Sequence, residues 1–233
     1  MPSDGFELVD ELARAVSPQQ WVLVGGVMVH AHAQLAGLPN PRPTTDADAV
    51  LEIAPMVNYS SAAAKILQLG FTHFESLDHR APAYRFERGE DRIDLMAPDR
   101  GAAIRYASRD VLRVPGSASA VKNTETFTTS SGTAIRIPNL AGALALKGAA
   151  CETASANPVR HAQDGVVLLA CAQTRGLPSI SKSQRAELNK LLLRLASIEA
   201  WSLTDRPTRR LAVLAARSLR PDWSPPTMAL QGG

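Results

Sequence analysis

"RPTTDADAVLEI", residues 42–53, sets Asp46 and Asp48 one residue apart where a proline-rich loop gives way to an apolar run. The run predicts a strand over Thr45 to Ile53. Side chains alternate across a strand with period two, so both carboxylates point to the same face. Strands avoid Asp, and like charges repel unless something separates them. Two readings follow. Either the pair sits at a strand end facing water, or a cation lies between the carboxylates, and a hard divalent ion with oxygen ligands, Mg²⁺, is the usual one.

The flanking segments extend this strand into a sheet. Upstream, Phe6 to Val16 has helical spacing, "WVLVGG" (21–26) reads as a buried strand ending at Gly25 and Gly26, and "VMVHAHAQLAG" (27–37) reads as a helix closed by Gly37. A glycine pair between strand and helix is either a tight turn or a place where a phosphate approaches free N–H groups at a helix start. No G-x-G-x-x-G or Walker motif accompanies it. Downstream, Pro55 to Leu69 reads as a helix, and "FTHFES", "AYRFERG" and "DRIDLMA" as three short strands. Asp94 lies between Ile93 and Leu95, so if those two face a core, Asp94 faces the other side. There it could join Asp46 and Asp48, and three carboxylates on adjacent strands can hold two metal ions for phosphoryl or nucleotidyl transfer. Asp91 reads as turn chemistry.

Past Pro98 the pattern weakens until "ETFTTSSGTAIRIP" (125–138) suggests a hairpin around Ser130 to Gly132. Beyond it the pattern is helical. Pro138 is expected to open one helix, Asn157 to cap another, Ser181 and Gln184 to form a capping box, and Asp205 with Pro207 to open the last. The predicted class is α+β: a mixed sheet flanked by helices over 1–137, a helical bundle over 138–220 and a loose tail over 221–233. Within the bundle, Lys147 is the only charge between Pro138 and Cys151, on a helix otherwise of Leu, Ala and Gly. Its ammonium is either drawn inward or snorkels to water. Asp164 stands at i+4 from Arg160 and i+3 from His161, the spacing of a helix-surface pair.

The chain of 233 residues carries a net charge of +3 that is unevenly divided. Residues 1–100 hold 8 Lys/Arg against 14 Asp/Glu, net −6, and residues 101–233 hold 17 against 8, net +9. A basic second half suits either a polyanionic partner or a solvated helical surface. The acidic start shows no signal peptide, and runs such as Val166 to Ala172 fall short of the ~20 residues a membrane span needs. The two cysteines, Cys151 and Cys171, lie in apolar helical patterns, as expected of buried thiols in a cytoplasmic protein. His30 and His32 would fall on different faces of a helix, so no zinc site is expected.

A Gly-Gly pair after a strand, Arg42-x-Thr44-x-Asp46-x-Asp48 about twenty residues on, then an apolar-Asp94-apolar strand resembles the polymerase-β-type nucleotidyltransferases. Within them the chain looks most like the AbiEii/MenA type, the nucleotidyltransferase toxins of toxin–antitoxin and abortive-infection systems. The resemblance implies an enzyme that moves a nucleoside monophosphate from an NTP to a hydroxyl acceptor, using Mg²⁺ (or Mn²⁺) in a two-metal site on Asp46, Asp48 and Asp94. It further implies that Gly25, Gly26 and Lys147 hold the triphosphate, with Arg42, Thr44 or Thr45 steadying the loop and Asp164 supporting the site. A tRNA 3′ end or other RNA is the implied acceptor, and a cognate antitoxin an implied partner. Two positions depart from the family. Val27 stands where a small hydroxyl residue usually follows the Gly pair, and Val167 and Leu168 stand where a second helical Asp is often found. A small-molecule acceptor, as in antibiotic nucleotidyltransferases, and a nucleotide- or RNA-binding module without turnover are the alternatives.

Overall fold

Short apolar runs broken by glycine and proline make short strands, and the first half of the chain is built on them. The computed structural model describes residues 5–39, 44, 46–51, 58–152 and 158–226. Residues fall into two units, one of Met1–Met28 and Pro43–Pro138, the other of Val29–Arg42 and Asn139–Gly233.

The first unit runs α1 (Phe6–Ala15), β1 (Trp21–Leu23), the start of α2 (Gly25–Leu35), β2 (Ala47–Leu51), α3 (Tyr59–Gln68), β3 (Thr72–His73), β4 (Arg85–Arg88) and β5 (Asp91–Pro98). The sheet order is β1-β2-β5-β4-β3. β2 and β5 are parallel, whereas β1–β2, β5–β4 and β4–β3 are antiparallel, so the sheet is mixed. One face carries Ala47, Ala49, Ile93, Leu95 and Phe86, all fully buried. Arg88, on that face of β4, ties it to α1: its two terminal nitrogens donate to Glu11 at 2.7 and 2.8 Å, and one also donates to Asp91 at 2.9 Å. Asp91 therefore belongs to β5 and a cross-strand ion pair, where turn chemistry was expected. Tyr59 at the start of α3 donates to the Leu95 carbonyl at 2.9 Å. The Asn58 side chain caps α3 through the Ser60 and Ser61 N–H groups.

Three pieces follow β5. β6 (Arg105–Tyr106) and β7 (Arg109–Asp110) form a tight hairpin, β8 (Arg113–Val114) pairs in parallel with the end of β5, and α4 (Ser117–Ala120) is one short turn. β9 (Thr124–Thr128) and β10 (Ala134–Pro138) make the expected antiparallel hairpin. Pro138 ends β10 and does not open a helix. Asn139 caps instead, its side chain accepting from the Gly142 N–H at 3.0 Å.

The second unit holds α5 (Leu140–Ala150), α6 (Pro158–Arg175), α7 (Lys182–Arg194) and α8 (Arg206–Leu219). α5 is buried along Leu140 to Ala149, which is why its apolar residues show no single stripe. Glycine lets these helices close up: a Cβ at Gly148 would strike the Glu187 backbone, and one at Gly165 would lie 2.6 Å from Leu191. The capping box of Ser181 with Gln184 is present, and Asp205 caps α8 through the Thr208 N–H at 2.8 Å. Asn157 lies outside the described residues, as do 227–233 of the expected loose tail. The described part of that tail is anchored. Trp223 is buried, donates to the Leu192 carbonyl at 2.9 Å and lies against Trp201, because an indole needs both apolar cover and an acceptor. Among the described residues no helix is long and apolar enough to cross a membrane.

Candidate active site

β2 and β5 pair in parallel, and their register sets Asp48 beside Asp94. Register partners on neighbouring strands share a face, so the two carboxylates stand side by side on the face opposite Ile93 and Leu95. β4 continues the row, with Arg85 opposite Asp94. A line of Asp48, Asp94 and Arg85 thus crosses three strands. Asp46, two residues before Asp48, is close enough for its charge to act on Asp94.

The glycine turn closes the other side. Gly25 opens α2 with φ +69, a left-handed conformation that side chains disfavour, and a Cβ there would collide with the Asp48 carboxylate. The Val24 N–H donates to the Asp48 carbonyl at 2.8 Å, carrying the β1–β2 pairing to the first residue of the helix. The expected helix after the Gly pair in fact begins at Gly25 itself. The unsatisfied N–H groups and positive dipole end of its first turn therefore open beside Asp48. Val27, the departure from the family, is fully buried and lies where a Cβ at Gly5 would meet it. Thr44 is buried too, its carbonyl against Gly5. Arg42 and Thr45 lie outside the described residues.

Arg85 is the site residue that the sequence reading missed. Its guanidinium forks Asp94, Nε and Nη2 donating to the two carboxylate oxygens at 2.9 Å each. Burial pushes the Asp94 carboxyl above the ordinary range, the Arg85 guanidinium opposes this, and the Asp46 charge adds to the rise. The signal that could have found Arg85 was its place in a strand facing "RIDLM", but arginines are common at strand edges and spacing alone does not rank them.

Asp46, Asp48 and Asp94 offer hard carboxylate oxygens, the set that Mg²⁺ prefers, beside a turn with room for no side chain. Asp94 keeps acceptor capacity beyond the two bonds from Arg85, since a carboxylate has about four lone-pair sites. Among the described residues no three acidic, His or Cys side chains are gathered closely enough to form a metal cluster, which fits Asp94 being turned to Arg85.

In the helical unit, Lys147 and Asp164 meet. The ammonium donates to Asp164 Oδ2 at 2.7 Å, and the side chains are only 6% and 2% exposed. Asp164 is thus an interior residue, where its spacing from Arg160 and His161 had suggested a surface pair. Both α5 and α6 close on α7 at a glycine, Gly148 against Glu187 and Gly165 against Leu191, and the two charges lie enclosed among these helices.

The comparison with protein families found no match, nor did the comparison with curated proteins. Among solved structures, the chain is similar to an antigenic nucleotidyltransferase-like protein from Paracoccidioides brasiliensis. The two are 14% identical, the likeness covers 83% of this chain and 90% of that one, and the TM-score is 0.51. At that identity the likeness speaks to the fold, which is nucleotidyltransferase-like.

Proposed function

We propose that the chain is a nucleotidyltransferase, moving a nucleoside monophosphate from an NTP to a hydroxyl acceptor with release of pyrophosphate. The observation that carries this reading is the row of Asp48 and Asp94 in register beside the Gly25 turn, within a nucleotidyltransferase-like fold. Asp46, Asp48 and Asp94 would hold Mg²⁺, or Mn²⁺ in its place. When bound, such ions neutralise triphosphate charge and favour ionisation of an attacking hydroxyl. The chain's own residues do the rest. The first turn of α2 at Gly25 and Gly26 offers backbone N–H groups to phosphate oxygens. Arg85 holds the Asp94 carboxylate in one orientation by its two-pronged bond. Family resemblance implies that Lys147 contacts the phosphates and that Asp164 supports the site; the two form a buried ion pair at 2.7 Å.

The acceptor in this reading is RNA, a tRNA 3′ end in particular, and the biological setting a cytoplasmic toxin held in check by an antitoxin. Support for both comes from the AbiEii/MenA resemblance of the motifs, together with the net +9 of residues 101–233. The test is direct. Incubation with each α-labelled NTP, Mg²⁺ and total RNA should label an RNA species with one NTP preferred. Nucleotide binding without label in any acceptor would reduce the protein to a binding module, and label in a small molecule alone would move it to the antibiotic-modifying class.

A further inference from the structure

The last helix of the chain breaks a local rule. A helix N-terminus carries a partial positive charge, so cations in the first turns cost about 0.3–1 kcal/mol each. α8 begins "RPTRRLAVLAARSL", with Arg206, Arg209 and Arg210 in its opening turns, no acidic residue anywhere within it, and Asp205 serving only as its cap. Local costs of this kind, uncompensated by packing, are expected where a surface has a task.

The fate of each arginine sharpens the point. Arg209 is engaged, its Nε donating to the Thr204 carbonyl at 2.8 Å, and Arg220 just past the helix pairs with Asp222. Arg206, Arg210 and Arg217 are exposed, and none of them is among the described residues that form a hydrogen bond, ion pair or ring contact. They fall at i, i+4 and i+11, which at 100° per residue is one narrow face, with ends about 16 Å apart. Leu214, 53% exposed, sits in the same stripe. The opposite face, Thr208, Ala212, Ala215 and Ala216, is buried in the helical unit, and Val213 is buried at the edge of the arginine stripe.

We infer that this face of α8 docks RNA through its sugar-phosphate backbone. Three unengaged guanidiniums match a row of phosphates, which they can grip in two-pronged fashion. No aromatic residue occurs in α8, so the stripe has no platform for unstacked bases and reads backbone rather than sequence. In naming RNA over other polyanions the inference rests on the acceptor class proposed above.

The test is a salt titration of binding to a fluorescent RNA stem-loop. Each phosphate contact contributes about 0.7–0.9 to the slope of log affinity against log salt. The triple variant Arg206→Gln, Arg210→Gln, Arg217→Gln should lower that slope by about 2 and weaken binding at least tenfold at ~0.1 M salt. A control that removes the same three charges elsewhere, Lys122→Gln, Lys182→Gln, Arg185→Gln, should retain most of the slope. Equal loss in both variants would overturn the inference, since net charge alone would then explain binding. So would an unchanged slope, or loss of binding to phosphatidylserine vesicles with RNA binding intact, which would make the stripe a membrane contact. Should the triple variant fail to fold, Arg210→Gln alone should still cost about 0.7 of slope. Labelled-nucleotide transfer is scored separately. RNA bound through α8 but never labelled would sink the catalytic reading and leave the docking face standing.

Discussion

Two ion pairs of similar length mark the two units of this protein, and their surroundings give them different work. Lys147–Asp164 is enclosed between α5 and α6, with both side chains nearly inaccessible. Arg85–Asp94 lies at a sheet face with the guanidinium side chain 28% exposed and the carboxylate 11%. An enclosed pair is shielded from water, so its charges depend on their protein neighbours for solvation. A half-open pair can exchange a partner for water, a cation or a phosphate. The first is therefore expected to hold the fold, and the second to take part in chemistry.

The largest effect expected from this contrast is on activity. Asp48→Asn keeps shape and removes a charge beside Gly25, so transfer should fall by a factor of about 10³, roughly 4 kcal/mol of transition-state stabilisation. Its thermal midpoint should hold or rise, because repulsion from Asp46 and Asp94 is relieved. Labelled-nucleotide transfer and thermal melts on the same samples check both halves, and unchanged transfer would remove the carboxylate row from the mechanism.

The next effect falls on stability, in the other unit. Lys147→Met removes the ammonium that the buried Asp164 meets at 2.7 Å and should cost about 3–5 kcal/mol in denaturant unfolding. Replacing both residues, Lys147→Met with Asp164→Leu, should recover much of that loss. If the double variant is stable yet inactive, Lys147 also serves the reaction, and the contrast between the pairs narrows.

Gly25→Ala comes third. Strain at positive φ costs about 1–2 kcal/mol, and the added methyl group must push the Asp48 carboxylate aside. Stability should drop by that modest amount while transfer drops by more, so a melt and a rate assay together separate the turn from the fold. Arg85→Met should matter less for stability than Lys147→Met, by about 2 kcal/mol or more, because the Arg85–Asp94 pair is the less enclosed of the two, its guanidinium side chain 28% exposed. Equal losses in the two variants would break the comparison.

The smallest effect is a rate of modification. Burial pushes the Cys151 thiol up to about 11, so little thiolate exists at pH 8, and Cys171 is buried as well. A disulfide reagent should leave both untouched in the native protein and react promptly once it is unfolded. Fast native labelling would mean that the helical unit is less closed than its buried ion pair implies.

Much of this molecule was legible in its residues, for physical reasons that are local. Period-two alternation announced β5 and the outward Asp94, glycine and proline punctuation marked the ends of β1, α2 and the 124–138 hairpin, and Ser181 with Gln184 announced α7. The hairpin of β6 and β7 was not legible. Its turn residues Ala107 and Ser108 take φ +47 and +63, as a two-residue hairpin turn requires, but neither is the Asn or Gly that advertises such a turn. Nor could spacing show that Arg85 faces Asp94 or that Asp164 faces Lys147. Alternation and helical period say which way a side chain leaves its own backbone. Which charge it meets depends on strand register and on how closely two helices approach, and those are decided only when distant segments, Asp48 with Asp94 and Gly148 with Glu187, come together and exclude water.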